Sequence, residues 1–106
     1  MKLLKFSGKL KKPSILLLRQ VRGESMLPAI RPGQLVLATG FLVAASENDV
    51  VIIRRQGREM IKRISLTDPL KGVYVVGDNA QASTDSRSFG WLQPDEIIAK
   101  VIWPRA

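Results

Sequence analysis

No stretch of this chain keeps a helical hydrophobic pattern for ten residues, and its uninterrupted apolar runs, Ile15 to Leu18 and Phe41 to Ala45 among them, do not exceed five residues. Turn-forming residues break every run, so a core has to be assembled from short extended segments. Ser14 to Arg22 predicts a strand with a buried first half, and Leu35-Val36-Leu37 an extended run ended by Thr39-Gly40. Val50 to Arg55 and Arg58 to Ile64, joined by Gln56-Gly57, read as a hairpin with glycine at the second central position of its turn. Val73 to Val76 is a further strand, Ala80 to Gly90 a polar loop, and Ile97 to Trp103 a closing strand. Between Gly23 and Gly33 two turn signals bracket a segment long enough for one helical turn. The fold class expected is therefore mainly β, in one domain, since 106 residues hold a single core.

Composition sharpens this through two zeros. The chain has no histidine and no cysteine, which removes Ser-His-Asp triads, Cys-His pairs, disulfides, and cysteine- or histidine-ligated zinc or haem. No metal site and no cofactor is expected. An enzyme built on this chain must use a hydroxyl or carboxylate nucleophile and a lysine, carboxylate or tyrosine as proton acceptor.

The net charge of +8 is confined to one end. Residues 1–22 carry Lys2, Lys5, Lys9, Lys11, Lys12, Arg19 and Arg22 and no acid, whereas the other 84 residues hold ten basic and nine acidic groups. Residues 1–13 thus read as a basic amino-terminal extension and 14–106 as the folded domain. A basic end can meet phosphate or an anionic lipid surface, or simply be solvated. The body is too neutral, and with 6% aromatics too poor in stacking groups, for nucleic acid to be an expected partner. No run approaches the roughly 20 apolar residues of a membrane span, and Lys9, Lys11, Lys12 and Pro13 interrupt the place of a secretory h-region. The expected location is the cytosol, with peripheral membrane contact through the basic end.

Three clusters could carry chemistry. Ser25 sits at a bend that would expose its hydroxyl and turn backbone N–H groups outward, as an oxyanion site requires; taken alone, a serine beside glycine is far more often a turn or cap residue. Lys62 shares a strand face with Met60 and Ile64 by period-two alternation. Burial there would lower its pKa until the amine could accept a serine proton, although a lysine can also lay its stem on apolar surface and reach water. Gly77-Asp78-Asn79 with Ser83, Asp85, Ser86 and Arg87 form either a plain polar loop or a support that orients the lysine through a hydroxyl and holds its strand through an ion pair.

In this order the clusters resemble the boxes of the type I signal peptidase family of serine proteases, whose fold is shared with LexA-type self-cleaving repressors. G-E-S-M-L-P-A-I-R-P-G (Gly23 to Gly33) resembles the nucleophile box, I-K-R-I (Ile61 to Ile64) the general-base box, G-D-N-A-Q-A-S-T-D-S-R-S-F-G (Gly77 to Gly90) the supporting box, and I-I-A-K-V-I-W-P (Ile97 to Pro104) the closing strand. The resemblance implies a small coiled, barrel-like β-sheet with a short helical turn after the nucleophile. It implies that Ser25 attacks a peptide carbonyl, that Lys62 takes its proton, and that Ser83 positions the lysine. Asp85 and Arg87 would be a bracing pair, and Asp78 and Asn79 a structural turn. Met26 and Pro28 would touch substrate, and the Ser25 N–H would be one oxyanion donor.

The chain departs from many signal peptidases. Gly23 stands where they carry a side-chain oxyanion donor, only 14 residues separate Lys62 from Gly77, and no amino-terminal membrane anchor is expected. These features resemble a small unanchored branch of the family that removes the leader from nickel-type superoxide dismutase precursors, which makes such a precursor the expected partner and leaves the nickel to the substrate. Other expectations are a soluble signal-peptidase-like enzyme acting on other precursors and a catalytically inactive binding module that uses the basic end.

Overall fold

A computed structural model describes residues 16–40 and 45–106. The basic extension, the start of the predicted first strand and the apolar residues 41–44 lie outside the described residues. Among the described residues six strands follow one another: β1 (Leu16–Gln20), β2 (Leu35–Thr39), β3 (Val50–Arg55), β4 (Arg58–Asp68), β5 (Gly72–Val76) and β6 (Ile97–Trp103). They form one antiparallel sheet in the order β1-β2-β6-β3-β4-β5. The mainly β class is as expected, and no helix among the described residues is long and apolar enough to cross a membrane.

The β3–β4 hairpin turns at Gln56 and Gly57, whose φ angles of 52° and 79° are both positive. That is the left-handed pair that matches strand twist in a two-residue turn. β4 runs beyond the predicted Ile64 to Asp68 because it serves two partners. Residues 58–63 pair with β3 and 63–68 with β5, with an irregularity between Ile64 and Leu66.

The sheet coils. β1 and β4 are separated by three strands, which at about 4.8 Å per step would hold them roughly 19 Å apart in a flat sheet. Yet Arg19 Nε lies 2.8 Å from Glu59 Oε1. Inside this curl Val21, Met26, Ile30, Val36, Ala38, Val50, Ile52, Ala99 and Val101 form one buried cluster. The opposite face buries Val51, Ile53, Ile64, Val75 and Leu92. Val50 and Ile52 against Val51 and Ile53 show why β3 reads as an unbroken apolar run: both of its faces are covered.

Two local expectations are corrected. The first strand does not bury its first half, because only every second side chain of a strand can face the core. Leu17 packs against the inner cluster, while Leu16 and Leu18 are 61% and 59% exposed. After Ser25 there is one α-type turn, closed by Ile30 N–H on the Met26 carbonyl at 2.9 Å. The polar loop is more ordered than expected, with a 3-10 turn at Ala80–Ala82 and a one-turn helix, α1 (Ser86–Phe89), capped by the Asp85 side chain.

Candidate active site

Lys62 lies in the middle of β4, directly opposite Val51 on β3. Its flanking face-mates Met60 and Ile64 both belong to the outer cluster, so the expected alternation holds. The residue is 4% exposed. Burial pushes its amine below the usual lysine range; Asp85 opposes that shift electrostatically and Arg87 adds to it. Lys62 Nζ donates to Ser83 Oγ at 3.0 Å, and Ser83 Oγ in turn donates to Asp85 Oδ2 at 2.5 Å.

Asp85 anchors this relay and is completely buried. Burial by itself would raise its pKa. The hydrogen bonds from Arg87 Nη2 (2.6 Å), Ser83 Oγ and the backbone N–H groups of Gly77 (2.8 Å) and Arg87 (3.1 Å) outweigh it and hold the carboxyl far below the usual range. An ionised Asp85 can only accept hydrogen bonds, which fixes the direction in which Ser83 donates. Its neighbour Ser86 accepts the Val75 N–H of β5 at 2.8 Å, tying α1 to the sheet.

Ser25 is half-buried on the turn that follows Arg22. Its carbonyl accepts the Asn79 N–H at 2.7 Å, and Asn79 Nδ2 donates to the Glu24 carbonyl at 3.0 Å. Gly77 sits between the two halves of the site. A Cβ there would come within 2.7 Å of the Ser25 carbonyl oxygen and 2.6 Å of Ser83 Cβ, closer than real Cβ contacts come. The nucleophile candidate and the hydroxyl that holds the lysine therefore close on one residue without a side chain. Gly77→Ala is expected to reduce peptide cleavage at least about 100-fold, with a stability loss of about 1–3 kcal/mol from overpacking. Thermal unfolding and steady-state kinetics on the purified variant check both.

The Lys62 amine bonds to Ser83 rather than to Ser25; such catalytic contacts commonly tighten only once substrate is bound. The backbone N–H groups of Ser25 and Met26 meet no acceptor among the described residues, which leaves them free to bind an oxyanion. Gly23, with a φ of 73°, contributes only backbone.

Asp78 does more than form a turn. Its carboxylate takes a two-point hydrogen bond from Arg63, 2.9 Å at both contacts, so the residue after Lys62 is clamped to the supporting loop. Sequence reasoning gave Arg63 no part; its position beside the lysine, on the other strand face, was the available signal. Asp85 and Arg87 pair with each other. Met26 is corrected: at 1% exposure its side chain packs with Val21 and Ile30 in the inner cluster and presents nothing to a substrate. Pro28 is exposed. A cleft of about 280 Å³ runs between the end of β1 and β4, bordered by Arg22, Val36, Ile52, Met60 and Ile61. It thus lies between the segment leading into Ser25 and the strand carrying Lys62.

No curated protein matches the chain. The family described as Peptidase S24-like matches it over residues 3–102.

Proposed function

Because this chain belongs to the Peptidase S24-like family, we propose that it is a serine endopeptidase in which Ser25 is the nucleophile and Lys62 the general base. One observation carries the assignment: a lysine 4% exposed on an apolar strand face, its amine depressed by burial and held by a serine hydroxyl. A structural lysine gains nothing from that position, whereas a base needs it.

In the proposed mechanism neutral Lys62 takes the Ser25 proton as Oγ forms a bond to the scissile carbonyl carbon. The C=O electron pair moves onto oxygen, opposite the Ser25 N–H. The tetrahedral intermediate collapses, the C–N bond breaks, and the Lys62 ammonium returns the proton to the leaving amine. Water, deprotonated by the same lysine, then attacks the acyl-serine ester and frees the acid and Ser25. Ser83 holds the amine in one direction through both steps. The cleft between β1 and β4 offers an extended peptide a route to Ser25.

The substrate we favour is the leader of a precursor protein, with a nickel-type superoxide dismutase precursor as the first choice and a signal-peptidase-like role on other precursors as the second. Support for the first comes from the short spacing between the lysine and the supporting loop and from the sequence resemblance.

Incubating the purified protein with a proteome-derived peptide library and with a dismutase precursor, and reading new termini by mass spectrometry, tests the activity. Cleavage is expected and should vanish in Ser25→Ala; equal cleavage by that variant overturns the assignment. The pH dependence has a fixed sign. The neutral amine is the active form and its pKa is lowered, so kcat/KM should rise with pH through an inflection below the usual lysine range. A profile flat from pH 6 to 10 would exclude lysine as the base.

A further inference from the structure

Position 23 is glycine, so the site lacks the hydroxyl that could join the Ser25 N–H in binding an oxyanion. Asn79 bears on that gap. It touches the two peptide units on either side of the nucleophile: through Nδ2 it donates to the Glu24 carbonyl at 3.0 Å, and through its backbone N–H to the Ser25 carbonyl at 2.7 Å. Asn79 itself is placed by the strand end that carries Gly77 and by the Asp78–Arg63 clamp beside it.

The Glu24 carbonyl and the Ser25 N–H are opposite ends of one planar trans peptide, so fixing the oxygen fixes the direction of the N–H. That oxygen takes a second hydrogen bond from Leu27 N–H at 3.2 Å. Two donors on one carbonyl also polarise the unit and make its N–H a stronger donor. The Ser25 N–H meanwhile has no acceptor among the described residues. A donor aimed in advance at a site where charge will develop requires no reorganisation during the reaction.

We propose that Asn79 is a positioning residue for the oxyanion site: its carboxamide sets and polarises the Glu24–Ser25 peptide so that the Ser25 backbone N–H, alongside that of Met26, serves where a side-chain donor is missing. This rests on the serine–lysine reading above. It assigns Asn79 a part in the rate of the chemical step, beyond shaping a turn. The backbone N–H of Asn79 remains in every side-chain variant, so the Ser25 carbonyl keeps its partner while the Glu24 carbonyl loses one.

The test compares wild type, Asn79→Asp, Asn79→Ala, Asn79→Gln and Ser25→Ala on a peptide that the wild type cleaves from the library, with the aldehyde of the same acyl-side sequence as an oxyanion-forming inhibitor. Asn79→Asp keeps the shape but has no N–H to donate. Its kcat is expected to fall about 30-fold, less than the 100-fold or more seen when an oxyanion donor is deleted outright, with KM within about twofold. The aldehyde should weaken by the same factor as kcat/KM. Asn79→Ala should behave alike, and Asn79→Gln, which retains a donor, should recover part of the loss. If the Asn79 variants lower the melting temperature or raise KM while kcat and the aldehyde hold, the residue is only structural and the inference is overturned. Ser25→Ala inactive with Asn79→Asp within twofold of wild type sinks this inference alone. Ser25→Ala still active, or a wild type that cleaves nothing, sinks the dyad and this inference with it.

Discussion

Lys62→Met should leave a protein that melts no lower than wild type and cleaves peptides at least about 10⁴-fold more slowly, the scale of loss when one member of a concerted nucleophile–base unit is removed. The two effects share one cause. Lys62 is buried beside Met60, Ile64 and Val51, with Ser83 as the partner of its amine. Methionine fills the same volume and leaves no amine to desolvate, so stability is retained or improved as the base disappears. The sign against pH is equally definite. Between the lowered folded pKa of Lys62 and the ordinary lysine value, the unfolded chain binds more protons, so wild-type stability climbs with pH across that window. Lys62→Met should not show that climb. Calorimetry at several pH values together with cleavage rates checks all three outcomes; a variant that is both inactive and strongly destabilised would mean that Lys62 supports the fold instead.

Asp85→Ala is expected to do the reverse of separating stability from activity. The carboxylate is fully buried and receives hydrogen bonds from Ser83, Arg87 and the Gly77 N–H. Alanine would strand those donors and leave the cation at Arg87 unmatched at its inner end. Removing one partner of a buried charged network costs about 3–5 kcal/mol, discounted here toward the lower figure because Arg87 is 43% exposed and can turn to water. A loss near 3 kcal/mol corresponds to a melting-temperature fall on the order of 15 °C for a domain of this size. Ser83, freed from Asp85, would no longer hold Lys62 in one direction, so cleavage should drop as well, by about 100-fold or more at temperatures where the variant is still folded. Unchanged melting would show that the burial of Asp85 is compensated in a way its hydrogen bonds do not reveal.

What could be read from the sequence, and what could not, divides along physical lines. β6 matched its predicted bounds and the hairpin turn its predicted site, because Gly57 readily takes the positive φ that a two-residue turn needs and Ile97 to Trp103 is an apolar segment, rich in β-branched residues, broken only by Lys100. The face of Lys62 followed from alternation alone. Two things stayed hidden. Leu16-Leu17-Leu18 has three identical side chains, and nothing local states which neighbours will cover them. Met26 looked like a surface residue beside a reactive serine, yet the curl of the sheet gives the turn after Ser25 a core to fill. Arg63 was missed for the opposite reason: its partner Asp78 is 15 residues away across β5, a distance that only tertiary structure resolves.

The rim of the curl is joined by charge over an apolar interior. Where β1 meets β4 the contact is Arg19 on Glu59, with Arg54 on the same carboxylate at 3.1 Å, and the arginine side chains are 40% and 54% exposed. Exposed ion pairs are worth about 0–1 kcal/mol and weaken with salt. Raising the ionic strength should therefore loosen the charged contact between β1 and β4, and with it the wall of the cleft that Arg19 and Glu59 help to line, while the apolar packing of Leu17, Val21 and Ile61 beneath it holds.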